Sequence, residues 1–172
     1  MKRSIRLIIL LSGLMTVLTA CGGGGGGGGT PPAPPPTTTP TKAVLKLSTT
    51  GPAGSQIAGV DVTVNLPSGV TVKAATAPPE TDAGVVVPSG QAAANSLVIA
   101  TAASGPPASV RIVLANSNTN GFGIGEFATV TCDLAAGTKP AASAFTIPAA
   151  LVGDLAGSPI SGATVTVAVT LE

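Results

Sequence analysis

The chain contains no histidine, no tryptophan and no tyrosine, and only two cysteines among its 172 residues. Without histidine, neither a Ser-His-Asp nor a Cys-His catalytic arrangement can be built, and imidazole-ligated zinc is excluded as well. Charged residues make up 9% of the chain, far below the quarter or so that is usual in globular domains. These absences remove most common enzyme chemistry. They also leave no basic patch that could neutralise the phosphates of a nucleic acid.

The acidic residues are few and scattered, which disfavours hydrolysis by paired carboxylates. Glu80 and Asp82 are close enough to share a site, but they lie in a proline-rich stretch that is typical of a loop. We therefore predict that the protein is not an enzyme and uses no cofactor. Structural calcium is the alternative, with oxygen ligands from Asp82, Asp133 or Asp154 and backbone carbonyls, although no EF-hand spacing is present.

The beginning of the chain is organised as an export signal. Lys2, Arg3 and Arg6 form a basic start, and an uncharged, largely apolar stretch runs from Leu7 to Ala20. This stretch is shorter than the about 20 residues that a spanning helix needs. We interpret residues 1–20 as a secretory signal peptide.

Leu18-Thr19-Ala20-Cys21 resembles the lipobox of bacterial lipoproteins at all four positions. The resemblance implies cleavage before Cys21, a diacylglycerol thioether on its sulfur and acylation of the new amino group. Gly22 stands where an aspartate commonly retains lipoproteins in the inner membrane, so the outer membrane is favoured. We predict a cell-envelope protein attached to the membrane by lipid on Cys21, with its domain in the periplasm or on the cell surface.

Residues 21–42 are predicted to contain the lipidated cysteine followed by a disordered tether. Residues 22–29 are all glycine, which is typical of a flexible coil, and residues 30–41 are rich in proline and threonine, which is typical of a semi-rigid extended spacer. Together they are expected to hold the folded domain several nanometres from the lipid.

Residues 43–172 are expected to form one domain made of strands. Apolar residues recur at every second position over 60–66, 110–114, 128–134 and 164–171, and shorter strands are predicted at 44–47, 70–73, 84–87, 97–101 and 145–147. Helix is predicted only as single turns at 91–95 and 149–155. About nine strands with one apolar face each predict an all-β, two-sheet sandwich, because each sheet needs a partner to cover that face.

The second cysteine is predicted to be an inert, buried thiol. Cys132 has no disulfide partner if Cys21 carries lipid, and it alternates in phase with Ala128, Val130 and Leu134. A residue in that phase points into the core, where a free cysteine behaves as a small apolar side chain. The only aromatic residues, Phe122, Phe127 and Phe145, are expected in the same core.

Three segments from Ile57 onward resemble the cohesin family, a jelly-roll β-sandwich related to some carbohydrate-binding modules. They are Ile57-Ala58-Gly59-Val60-Asp61-Val62-Thr63-Val64, Gly125-Glu126-Phe127-Ala128-Thr129-Val130-Thr131-Cys132-Asp133-Leu134, and Val152-Gly153-Asp154 with Ser161-Gly162-Ala163-Thr164-Val165. The resemblance implies a jelly roll of about nine strands and a non-enzymatic scaffold role in binding another envelope or extracellular protein. The chain departs from the family pattern between Lys73 and Gly90, where the usual aromatic strand is missing.

The alternative function is a carbohydrate-binding module linked to polysaccharide binding or catabolism at the cell surface. Such modules usually stack sugars on exposed aromatic rings, which this chain does not offer if its phenylalanines are buried. Sugar binding would then depend on polar loops, and Asn116, Asn118 and Asn120 are the candidate binding residues. The other interpretation of this loop is a solvated hairpin connection.

Overall fold

In a computed structural model, which describes residues 39–75 and 79–172, the chain folds into antiparallel strands in two packed sheets. The nine strands are β1 (Lys42–Thr50), β2 (Ile57–Leu66), β3 (Val70–Thr71), β4 (Val86–Pro88), β5 (Ser96–Ala103), β6 (Ala108–Asn116), β7 (Gly125–Leu134), β8 (Thr146–Asp154) and β9 (Thr164–Leu171). The predicted two-sheet β-sandwich is confirmed. The predictions for the signal peptide, for Cys21 and for the tether up to residue 38 lie outside the described residues.

The strands are divided between a five-stranded sheet and a four-stranded sheet. In the first, sheet A, β3 and β4 each pair with β7, which is followed by β1 and then β9; in the second, sheet B, the order is β5-β6-β2-β8. β1 therefore lies between β7 and β9 and pairs with both. Lys42 and Glu172 exchange two backbone hydrogen bonds of 2.9 Å, which close the end of the β1–β9 pair.

The core lies between the two sheets and is built from the inward row of each strand. Successive side chains of a strand point to opposite faces, and the inward residues of the central strands are almost fully buried. These residues include Leu45 and Leu47 of β1, Val60, Val62 and Val64 of β2, Val110, Ile112 and Leu114 of β6, and Phe127, Val130 and Cys132 of β7. Phe122 and Phe145 are buried as well, so the predicted placement of the three phenylalanines is confirmed.

The prediction of a helical turn at 149–155 was wrong. Residues 149–154 continue β8, where Ala149, Ala150 and Leu151 lie opposite β2. Alanine favours helix in isolation, but here pairing with β2 decides the structure because it satisfies the backbone groups of both strands. β8 also begins at Thr146, so Phe145 of the predicted 145–147 strand instead ends a short 3₁₀ turn at Ala142–Ala144.

Three other short elements differ in length from their prediction. Strand β3 is confined to Val70–Thr71 instead of 70–73, β4 covers Val86–Pro88 instead of 84–87, and the turn predicted at 91–95 is a 3₁₀ turn at Gly90–Ala92. All three lie beside β7 or its loops, where tertiary pairing and not local pattern sets the ends.

Candidate functional site

The outer face of sheet B carries large aliphatic side chains that remain exposed. Leu97 and Ile99 of β5 are 67% and 54% exposed, Leu151 of β8 is 49% exposed, and Val113 of β6 is 38% exposed. Three of them fall in one row across the sheet, because Ile99 lies opposite Val113, Val113 opposite Asp61, and Asp61 opposite Leu151. Asp61 separates Val113 from Leu151 in this row, and Leu97 and Ile99 lie on the other side of Val113. Several exposed aliphatic side chains on one face, unlike a single exposed leucine, make it the candidate interaction surface.

The exposed aliphatic side chains come from short stretches of β5 and β6 that are apolar on both sides. In β6, Ile112 and Leu114 point into the core and are buried, so Val113 between them points outward. The strand pattern did not predict these outward residues, although two continuous apolar runs, at 97–100 and 112–115, were a signal. A strand that needs only one apolar face alternates, so an unbroken apolar run places apolar side chains on both faces.

A shallow depression of about 310 Å³ lies beside the exposed row. Val113 and Leu151 line it, together with Gly59 of β2 and Gly153 of β8, which are paired across the two strands. A Cβ atom on Gly59 would come within 2.9 Å of the Leu114 carbonyl oxygen, so this position requires glycine. A Cβ atom on Gly153 would have its nearest neighbour 3.8 Å away, so alanine would fit at this position.

The centre of the face is an ion pair between neighbouring strands. The Arg111 guanidinium donates from Nε to Oδ1 of Asp61 at 3.0 Å and from a terminal nitrogen to Oδ2 at 2.6 Å. The hydrogen bond from Arg111 is the main cause that lowers the pKa of Asp61 below its ordinary value, with burial opposing it. Because the two charges neutralise each other, the face presents no net charge at its centre.

The asparagine loop that was predicted as a binding site lies at the end of this face, next to the β5–β6 pair. The side-chain amide of Asn116 donates to the Ala94 carbonyl oxygen at 2.9 Å and to the Ser96 hydroxyl at 2.8 Å. The side-chain oxygens of Asn116 and Asn118 accept from the backbone N–H groups of Asn118 and Asn120, respectively. The first two asparagines thus order the loop itself. The interpretation as a hairpin connection was wrong, because the loop joins β6 of sheet B to β7 of sheet A, and these strands do not pair.

Two of the three acidic residues named as calcium candidates, Asp82 and Asp154, are engaged elsewhere, and Asp133 is an exposed residue of β7. Asp82 forms an ion pair with Lys73 at 2.6 Å, and this hydrogen bond lowers the pKa of the carboxyl group. Asp154 accepts from the backbone N–H groups of Ala156 and Ser158 at the end of β8. Within residues 39–75 and 79–172, no three Asp, Glu, Cys or His side chains come together in a metal-binding group.

The carboxylate pair considered for hydrolysis lies at the edge of β5. Glu80 and Asp82 both line a cavity of about 290 Å³, and Glu80 bridges to Thr101 through the backbone. Because Asp82 is already paired with Lys73, the two carboxylates have different environments. The arrangement stabilises the loop against β5.

Cys132 has the position that its strand phase predicted. It is fully buried in the core, on the inward side of β7. Burial is the main cause that raises the pKa of its thiol to about 12, with the neighbouring charge of Asp133 adding to it. A thiol with that pKa is protonated at physiological pH and is a poor nucleophile, so the prediction of an inert thiol is supported by both burial and pKa.

Comparisons with protein-family models, with curated proteins and with solved structures find no match for this chain. In the part of the chain that the structure describes, no helix is long and apolar enough to cross a membrane. The case for function therefore depends on the geometry of sheet B and on the sequence motifs.

Proposed function

We propose that this chain is a non-enzymatic, lipid-anchored module of the bacterial cell envelope that binds another protein on the outer face of sheet B. The observation that carries the proposal is the row formed by Ile99, Val113 and Leu151, with Leu97 beside it. Large aliphatic side chains on a solvent-facing row are unfavourable unless something covers them. The proposed occupant is a protein surface with a protruding aliphatic side chain that enters the depression over Gly59 and Gly153.

The dimensions of the face fit a moderate interface. Four strands about 4.8 Å apart and three rows about 6.8 Å apart give a face of roughly 400 Å², which includes the Asp61–Arg111 ion pair. A stable interface of standard size buries about 800 Å² on each partner, so sheet B supplies the aliphatic part of the contact and neighbouring loops supply the polar rim. The 116–120 loop is in position for that rim because Asn116 is the last residue of β6.

The chemistry of the face favours a protein over a glycan. The sequence has no tryptophan or tyrosine, and all three phenylalanines are buried in the core. The face therefore offers no aromatic ring on which a sugar could stack, but it offers branched aliphatic side chains that pack well against those of another protein. Because Asp61 and Arg111 neutralise each other, the face also suits a partner whose contact surface carries no charge at its centre.

The lipid anchor and the location complete the proposal. Attachment through Cys21 rests on the lipobox, and the outer membrane is favoured by Gly22. The cohesin resemblance supports the same conclusion, since it implies a scaffold domain that binds proteins. Replacing Cys21 with serine should leave the precursor uncleaved and unacylated, and mass spectrometry of the wild-type chain would contradict the anchor if it found an unmodified amino end at Cys21.

Site-specific photo-crosslinking in intact cells tests the binding face. A photoreactive residue at Val113 is expected to yield an adduct with one partner protein, while the same residue at Thr131, on the outer face of sheet A, yields none. Ile99→Asp should reduce the Val113 adduct by about tenfold or more, because binding would bury an unpaired carboxylate. Thr131→Asp is the matched control and should leave the adduct unchanged.

Two outcomes would contradict the proposal. One is equal crosslinking from Val113 and Thr131, which would mean that no partner prefers the outer face of sheet B to that of sheet A. The other is an adduct that survives Ile99→Asp in a folded protein. A finer test is Gly153→Ala, which adds one methyl group to the depression at a position where the fold has space for it, and it should weaken the adduct without lowering the melting temperature.

A further inference from the structure

Strand β9 is an open edge of sheet A. It pairs with β1 on one side only. Its inward residues, Val165, Val167, Val169 and Leu171, are only half-buried, whereas Leu45 and Leu47 of the adjacent β1 are fully buried. The difference arises because β9 pairs with a strand on one side only; on its other side, β8 of sheet B and the 3₁₀ turn at Ala142–Ala144 approach it without pairing.

The hydrogen-bond phase of β9 identifies which backbone groups are open. Lys42 and Glu172 form a hydrogen-bonded pair, and such pairs alternate along an antiparallel ladder. The even-numbered residues of β9 therefore bond to β1, and the N–H and C=O groups of the four odd-numbered inward residues point away from the sheet. Among the described residues, none of these groups has a hydrogen-bond partner.

The other edges of the sandwich are obstructed. In β5, the Ala100 carbonyl and the Ala102 N–H are bonded to Thr81 and Pro79, respectively. In β8, Pro148 has no N–H to offer, and Val152 and Asp154 are bonded to residues of the following loop. Strands β3 and β4 have two and three residues. Compared with these edge strands, β9 is unobstructed: it has eight residues, TVTVAVTL, without proline or charge.

Natural proteins usually protect an edge of this length with lysine, proline, a bulge or a covering loop. We propose that a second copy of this chain pairs with β9, antiparallel and about a two-fold axis through Ala168. In that register Val167 lies opposite Val169 of the second copy, and Val165 lies opposite its Leu171. All four open residues of each copy are then used, giving about eight hydrogen bonds.

The sequence of β9 fits this register in its side chains. Residues directly opposite each other share a face, so Thr166 meets Thr170 on the outer face and aliphatic residues meet aliphatic residues on the inner face. Thr164 meets Glu172, just beyond the end of the strand. Ala168 meets its own copy in a non-hydrogen-bonded pair, where the chains approach to about 4.5 Å between Cα atoms. It is the one outward residue of β9 that is not threonine, and its small side chain suits that close approach.

A second copy is favoured over a segment of the same chain. Residues 31–40 contain six prolines and residues 22–29 are all glycine, and neither composition forms a strand that could add to the edge. Pairing through β9 uses the edge of both copies at once, so the assembly closes at two. It does not depend on the face of sheet B, and the lipid anchor proposed above would only raise the local concentration of the two copies.

Disulfide trapping of the full chain, expressed with its own leader and oxidised in membranes, tests the register. Cα atoms about 4.5 Å apart are within the range for a disulfide, so Ala168→Cys should run as a dimer on a non-reducing gel. Thr166→Cys is the matched control, since its own copy would lie about four residues away along the strand, roughly 13 Å. The wild-type chain, run on the same gel, shows any disulfide that Cys21 or the buried Cys132 would form without the added cysteine.

Sedimentation of the full chain in mild detergent gives an independent readout. We expect a dimer for wild type and for Ala168→Thr, and a monomer with unchanged β-type circular dichroism for Ala168→Lys, which places two like charges at the axis. Ile99→Asp should remain a dimer, which separates this interface from sheet B. A monomeric wild type would overturn the proposal, and so would trapping of Thr166→Cys as efficient as that of Ala168→Cys.

Discussion

The two outer faces of the sandwich are made by strands of similar length and similar inward rows, but they present different chemistry to solvent. On sheet A the outward residues are mostly hydroxyl-bearing or charged, and include Lys42, Lys46 and Ser48 of β1, Thr129, Thr131 and Asp133 of β7, and Thr164, Thr166 and Thr170 of β9. On sheet B they include Leu97, Ile99, Val113 and Leu151. Folding requires only the inward rows, yet the outward rows differ: among the described residues, the strands of sheet A expose one large aliphatic side chain, Val87 at 46%, whereas those of sheet B expose four.

The charged residues of the two faces are also used differently. On sheet A, Lys46 and Glu126 form an ion pair at 3.3 Å, and a hydrogen bond from Ser89 is the largest cause that lowers the pKa of Glu126. These charges lie among hydroxyl groups and water. On sheet B, Asp61 lies between Val113 and Leu151, and Arg111 lies between Thr63 and Thr101. A face that keeps its few charges paired is better suited to losing its water on binding.

The largest expected effect is on the inner side of sheet A. Cys132→Asp would bury an unpaired charge in the core and should prevent folding at ordinary temperature. Cys132→Ala removes only a sulfur atom and should cost about 1–2 kcal/mol, less than the roughly 2–5 kcal/mol of larger core truncations. Far-UV circular dichroism and thermal melting of both variants measure the difference.

Thiol labelling provides the control for Cys132. Since burial raises the pKa of its thiol to about 12, the native protein at pH 8 should react far more slowly than the urea-unfolded chain. Equal rates in the two states would mean that β7 has the opposite phase. The inner and outer faces of sheet A would then have to be exchanged along that strand.

The next effect compares two adjacent residues on opposite sides of sheet B. Ile112 is fully buried and Val113 is exposed, so Ile112→Ala should destabilise the domain by about 2–5 kcal/mol. Val113→Ala should change the free energy of unfolding by no more than about 0.5 kcal/mol, as at most surface positions. Urea denaturation followed by circular dichroism gives both values, and similar losses would show that the outer face is packed against something within the domain.

A smaller effect on stability is expected from making sheet B resemble sheet A. Replacing Ile99 and Val113 together with threonine retains β-branched side chains, which favour strands, and should leave the midpoint of urea unfolding almost unchanged. Retention of the folded protein on a hydrophobic-interaction column should fall. The matched control, Thr129→Val with Thr131→Val on sheet A, should increase it. Unchanged retention in the first variant would mean that the exposed aliphatic row is not the apolar surface of the molecule.

The smallest effect concerns the ion pair at the centre of sheet B. Arg111 lowers the pKa of Asp61 in the folded state, so the stabilisation is fully present above the ordinary pKa of about 3.9 and is lost as pH falls and the folded carboxylate becomes protonated. Asp61→Asn should remove this contribution at neutral pH and flatten the acid limb of the stability profile. Melting temperatures of the wild type and of Asp61→Asn from pH 2 to 7 test this prediction. An identical fall in melting temperature at low pH in the two proteins would contradict it.

Strand alternation predicted most of the fold because it reports burial directly. The inward phase of Val130 and Cys132, the central strands and the alternation of β9 are all local patterns that packing preserves. The pattern failed where pairing with a neighbour overrides local preference, as at Ala149 and Ala150 of β8, which join β2 as a strand. The alanine-rich sequence there carries no strand signal of its own.

The candidate site was harder to predict than the fold. An unbroken apolar run such as that around Ile99 indicates two apolar faces, but it does not say whether the second face meets another part of the chain or solvent. Only the sheet order and register place Ile99, Val113 and Leu151 in one row. The asparagines were conspicuous in sequence because they are close together, yet Asn116 and Asn118 serve the loop that contains them.

The position of β1 between β7 and β9 also constrains the order in which the domain can be completed. A chain that emerges from its amino end presents β1 first, but the strands that flank it begin only at Gly125 and Thr164. Until both are available, Leu45 and Leu47 have no finished sheet in which to be buried. By contrast, β2, β5 and β6 all lie within residues 57–116 and can pair early. Three of the four strands of sheet B can therefore pair while β1 waits, and β9, the last strand in chain order, completes the pairing of β1.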